Sequence, residues 1–190
     1  MASVASNLKH TVTAACLFCA LLAAPSLWAA NTTPDLAALL GQLRQAGPTD
    51  SATVARDIRM RWAQSGSDTI DLLLKRGKDA LERGETDAAI EHLTAALDHA
   101  PHFAESYHAR AQAYATAGLV GPALADLEQA LHLNPAHFDA LYGLAVLLEE
   151  VGRPKLAYET YVLVLKIYPH YEEAQAARAR LHDRVMGRKL

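Results

Sequence analysis

Histidine is the side chain in excess that could do chemistry: there are nine among 190 residues, and imidazole serves proton transfer and metal binding near neutral pH. His99 and His102 flank Pro101, His132 and His137 flank Pro135, and His170 follows Pro169. Neighbouring loops could thus bring two or three imidazoles together. Their offsets from the prolines differ, however, and zinc needs convergent ligands with supporting hydrogen bonds. No metal is expected, and the five are read as polar loop residues. Cys16 and Cys19 have the C-x-x-C spacing of redox and metal sites, but they lie in an apolar stretch and read as hydrophobic filler. There is no phosphate-cradling glycine loop, no G-x-S-x-G elbow and no H-E-x-x-H helix. The expectation is a binding protein without cofactor, not an enzyme.

The cysteine-bearing segment is unlike the rest. Its first thirty residues contain one lysine, Lys9, no acid, an apolar run from Ala14 to Ala24, then Pro25 and small residues at Ala29 and Ala30. That is the layout of a secretory signal peptide over 1–29, cleaved after Ala29. The alternative is a retained anchor, but the run is short of the roughly 20 apolar residues a spanning helix needs. Export is expected, into a periplasm if the source is bacterial. Losing Lys9 would take the net charge from −3 to about −4, so nucleic acid is not an expected partner.

The elements that must position any site are written in a repeat. Pro101, Pro135 and Pro169 recur every 34 residues, as do Gly84, Gly118 and Gly152, Ala89, Ala123 and Ala157, and Leu97, Leu131 and Leu165. Within the middle unit Tyr107, Arg110, Ala111 and Tyr114 keep a helical period, Gly118 interrupts it, and Leu124, Leu127, Ala130 and Leu131 resume it. The pattern predicts an all-α chain of three helix-turn-helix units, 70–103, 104–137 and 138–171. Gly77, Ala111 and Ala145, with the alanine series, are small where helix backbones should approach closely. Leu73, Tyr107 and Leu141, and Leu93, Leu127 and Tyr161, are the large residues beside them, so each unit half-builds an interface that its neighbour completes.

On these residues the chain resembles the tetratricopeptide repeat family, in particular its small exported bacterial members. The middle unit matches best, with Tyr107, Ala111, Tyr114, Gly118, Ala123, Leu127, Ala130 and Pro135 at the family positions. Ala80 and Leu148 replace the family tyrosine, Arg76 and Arg110 stand where leucine is usual, and Val164 replaces the second alanine. The resemblance implies a solenoid whose first helices line a concave groove that binds a protein or peptide. The implied groove residues are Leu74, Lys75 and Lys78, then Glu105, His108 and Gln112, then Asp139, Tyr142 and Val146, with Asp71 and Arg180 at the margins. A solvated charged face is the bland alternative. Chaperone-binding members clamp a C-terminal carboxylate with lysines, asparagines and an arginine. At the matching positions this chain has Leu74, Lys78, Ala109, Asp139 and Gly143, so that specificity is not implied.

Flanking segments complete the reading. Residues 30–51 are read as a linker holding a short helix capped by Thr33 and Pro34. Its stripe is Leu36, Leu39, Leu40 and Leu43, and Gly47-Pro48 ends it. The stripe either folds back on the solenoid or docks a partner. Residues 52–69, with Val54, Ala55, Ile58 and Trp62 on one face, are expected to cap the first repeat. Residues 172–190 are expected to cap the last through Ala174, Ala177, Leu181 and Val185. The function expected is an exported adaptor or scaffold gripping a protein partner in its groove. The alternative is a structural module that self-associates through the leucine helix or a solenoid end, which leaves an oligomer open; membrane contact is expected only through an uncleaved leader.

Overall fold

A period of 34 residues fixes helix ends as well as helices. The computed structural model describes residues 35–187, which form nine helices and no strand: α1 Leu36–Gln45, α2 Pro48–Trp62, α3 Asp68–Glu82, α4 Thr86–His99, α5 Ala104–Thr116, α6 Val120–Leu133, α7 Phe138–Glu150, α8 Pro154–Ile167 and α9 Glu172–Met186. Starts at 86, 120 and 154, and at 104, 138 and 172, keep the sequence interval. The expected leader with Cys16 and Cys19, the expected Thr33-Pro34 cap and the basic residues Arg188 and Lys189 lie outside the described residues. No described helix is long and apolar enough to cross a membrane.

Glycine ends the first helix of each repeat for a steric reason. Gly84, Gly118 and Gly152 have φ of 76°, 73° and 75°, a left-handed conformation that a β-carbon disfavours. The next residue's N–H then turns back onto the helix: Glu85 donates to Ala80, Leu119 to Tyr114 and Arg153 to Leu148, at 2.9, 2.8 and 2.8 Å. Proline ends the second helix differently. It pushes the preceding Ala100, Asn134 and Tyr168 out of the helical region, to ψ of 71°, 88° and 86°.

Pairs of helices close on the small residues. Ala89, Ala123 and Ala157 are fully buried, facing a core that contains Leu93, Leu127 and Tyr161. A β-carbon at Gly77 would lie 2.5 Å from Leu93 Cγ, so that position is closed to any side chain. Arg110, where the family has leucine, is half-buried but fully occupied. Its guanidinium donates to both Asp126 oxygens at 2.7 and 2.9 Å and to Thr94 Oγ1 at 3.1 Å, and it lies over the rings of Tyr107 and Tyr114. At the far end α9 covers α8 with Ala174, Ala177 and Leu181, all buried.

The N-terminal segment departs from expectation. Gly47-Pro48 does not end α1 within a linker; Gly47 is the N-cap of α2 and Pro48 its first residue, where a missing N–H costs nothing. The leucine stripe is covered from within: α1 packs on α2 and α8, with Leu39 and Leu43 buried. Of the two readings of the stripe, folding back on the solenoid is the one observed. Helix α2, expected to cap the first repeat, instead buries Ala55, Ile58 and Trp62 in one cluster with Phe138, Tyr161 and Val164 of the third. Ring size gives the reason. The core shared by the first and second repeats is built of Ala80, Ala89, Ala109 and Ala113 around Leu74 and Leu93, whereas the third repeat offers rings. There Trp62 stacks on His137 at 4.2 Å and meets Phe138 at 4.8 Å.

Candidate functional site

Helices α3, α5 and α7 enter the same surface in the same register, so the repeat interval places an acid near the start of each: Asp71, Glu105 and Asp139. Between these helices lies a cavity of about 590 Å³. Seven of the nine expected groove residues line it: Lys78, Glu105, His108, Gln112, Asp139, Tyr142 and Val146. Leu74 and Lys75 do not. Leu74 is only 2 % exposed, inside a core cluster that Ala63 and Phe103 cover. Being apolar, it turns inward where its repeat equivalents His108 and Tyr142 turn to the cavity. Lys75 projects to solvent and pairs with Asp79 one turn on, at 2.6 Å.

The floor is apolar, built of Leu81, Ala111, Ala115, Leu127 and Leu147 besides Val146. One wall is aromatic, with Tyr142 and Tyr171 stacked at 5.0 Å and 25°. Burial raises both phenols above their ordinary range, so each keeps its proton. Helix α2 supplies the edge that the sequence did not reveal. Arg59 donates from Nε and a terminal nitrogen to both oxygens of Asp139, each at 2.7 Å, and its guanidinium lies 5.1 Å from the Phe138 ring centre. Tyr171 donates its hydroxyl to the same carboxylate at 3.2 Å.

Deeper in, Glu105 is buried and accepts from Lys78 on one oxygen and from His137 Nε2 on the other, the latter at 2.9 Å. Burial by itself would raise this carboxyl. The facing imidazoles of His108 and His137 and the charge of Lys78 overcome it, holding Glu105 well below the ordinary carboxylate range. His137 is pushed below its ordinary value by burial, despite the pull of Glu105. Its tautomer follows from its other nitrogen: Nδ1 caps α7 by accepting the Ala140 N–H at 3.2 Å, so the proton sits on Nε2 and is donated to Glu105. His108 accepts from Gln112 at Nε2, at 3.2 Å, while its buried Nδ1 has no hydrogen-bond partner and stands 3.8 Å from Glu105.

Glu105, His108 and His137 bring potential ligand atoms within 4.8 Å of one another, a combination that zinc sites use. The cap argues against it. Binding a cation through His137 Nε2 would move the proton to Nδ1, against the Ala140 N–H. Within the trio Glu105 and His137 are hydrogen-bonded, and His108 stands beside them with its own bond to Gln112. Reading His137 as a polar loop residue missed this, yet the signal was present: it occupies the repeat position of the aromatic residues Phe103 and Tyr171.

The pattern of the family described as tetratricopeptide repeat matches residues 74–121 and again 121–181. A TPR repeat-containing protein of Rhizobium etli is 33% identical over 152 residues, which is 80% of this chain and 74% of that one. Among solved structures, the first TPR of Spaghetti (RPAP3) bound to an HSP90 peptide superposes with a TM-score of 0.61 at 22% identity, covering 64% of this chain and 98% of that one. MamA gives 0.57 at 24% identity, covering 68% and 75%. At these identities the two structures attest the fold.

Proposed function

The chain belongs to the tetratricopeptide repeat family, and we propose that it is an exported adaptor that holds an extended segment of a protein partner in the cavity between α3, α5 and α7. One observation carries the reading: an open cavity with an apolar floor, an aromatic wall and a polar rim. A groove of that make-up suits a peptide whose side chains anchor in it. The folds it resembles support this at the level of protein interaction, and one of those structures holds a bound peptide.

The test is capture of a partner by the tagged chain, crosslinked in its native envelope. Tyr142→Ala is expected to weaken capture by at least about 1 kcal/mol, because anchors near the centre of an interface carry most of its energy. Glu159→Ala, on the exposed face of α8, is expected to change nothing. Undiminished capture by Tyr142→Ala sinks the groove as the binding site. Export rests on the leader pattern of residues 1–29. N-terminal sequencing of the secreted species is expected to start near Ala30, and recovery of intact residues 1–29 on a membrane would favour an anchor.

A further inference from the structure

We propose that this groove selects a basic linear segment, seating lysine or arginine side chains near Glu82 and Glu150 and apolar side chains along Tyr142 and Val146. The proposal rests on the groove-binding reading above and names its ligand chemistry. The two cations that line the cavity are already spent: Arg59 on Asp139 and Lys78 on Glu105. Neither is left for a ligand carboxylate. Glu82 and Glu150, exposed at the C-terminal ends of α3 and α7, hold no ion pair among the described residues. The neighbouring Arg83 is tied to Glu85, and Arg180 to Glu149.

The helix ends add to this. Six of the described helices carry a basic residue in the last turn, where it offsets the partial negative charge of the free carbonyls; α3, α5 and α7 carry none. The helices without a basic residue in the last turn are thus the three that form the groove, and Arg83, the C-cap residue of α3, is paired with Glu85. Arg59 shows how the groove receives a guanidinium, with both nitrogens on a carboxylate and the plane near an aromatic ring.

Fluorescence anisotropy on the full chain tests the selectivity. One probe is a fluorescein-labelled peptide of about twelve residues alternating leucine with lysine and arginine; the other has glutamate for every basic residue. The basic peptide is expected to bind at least about tenfold tighter near physiological salt, with the difference shrinking as salt rises. Glu82→Lys with Glu150→Lys is expected to abolish or reverse the preference. Glu128→Lys with Glu159→Lys, an equal change in net charge on exposed positions of α6 and α8, is expected to preserve it, and melting by circular dichroism confirms that both pairs fold. Equal or tighter binding of the acidic peptide overturns the proposal, as does failure of both peptides to bind, or equal loss of preference in the two charge-reversed pairs. If the acidic peptide wins and Tyr142→Ala still weakens it, selectivity falls and the groove stands. If Tyr142→Ala alters neither peptide, the groove reading falls as well.

Discussion

Glu105 and His137 are buried together, and each owes its protonation state to the other and to the backbone. The unfolded chain lacks that environment, which makes the pair pH-sensitive in a fixed direction. His137 has a folded value depressed from 6.5, so its contribution is present above about 6.5 and is lost as pH falls, when the unfolded chain takes the proton first. Glu105 is depressed too, so its contribution is lost only below about 4.5. Both therefore weaken the fold in acid, in two successive windows. Thermal melts from pH 7.5 down to about pH 5 are expected to show stability falling, and the slope between about 6.5 and 5 is expected to shrink in His137→Gln even though that variant starts less stable. An unchanged slope would place the titration on another histidine. The make-up of this pair was half legible. The repeat interval placed Glu105 on a groove helix, but the proline beside His137 drew attention to its loop and away from its ring position shared with Phe103 and Tyr171.

At the scale of the helix pair, repeat geometry turns on how near two backbones come. Gly77 and Gly143 both lie within first helices, yet they meet different surroundings. A β-carbon at Gly77 would sit 2.5 and 2.7 Å from two carbons of fully buried Leu93, while at Gly143 the nearest atom is a Leu127 carbon at 3.4 Å, in ordinary contact. Alanine gains about 1 kcal/mol over glycine inside a helix, against an overpacking cost of about 1–3 kcal/mol. Gly77→Ala is accordingly expected to lower the melting temperature and Gly143→Ala to hold or raise it. Equal shifts would mean that α3 and α4 are not seated as closely as described. Helix limits within the repeats were legible because glycine and proline impose them locally, one through φ and the other through its neighbour's ψ. The fate of α2 was not, because Trp62 and Phe138 are far apart in sequence and no period links them. The inward turn of Leu74 was likewise hidden, since position alone equates it with His108 and Tyr142.

Across the whole molecule, the N-terminal hairpin changes what kind of solenoid this is. A simple repeat array touches only neighbouring units and can loosen from either end. Here α1 packs on α8 and Trp62 on the start of α7, while Ser65 donates its N–H and hydroxyl to Asp71 at 2.7 and 2.6 Å, fastening the same hairpin to the start of α3. The first and third repeats are thereby joined through a segment outside both. Such a closure couples the array, so the third repeat loses support when the hairpin is released. Trp62→Ala removes a ring that is 7 % exposed and is expected to cost about 3–5 kcal/mol. Arg59→Ala breaks a bidentate pair with Asp139 and the contact over Phe138, but its side chain is 43% exposed, and the expected loss is smaller, about 1–2 kcal/mol. Native-state hydrogen exchange separates closure from mere attachment. In Trp62→Ala, amides of α7 and α8 are expected to lose protection together with those of α1 and α2, and the melt is expected to stay a single transition. If only α1 and α2 exchange faster, the hairpin is an appendage resting on an array that is stable without it.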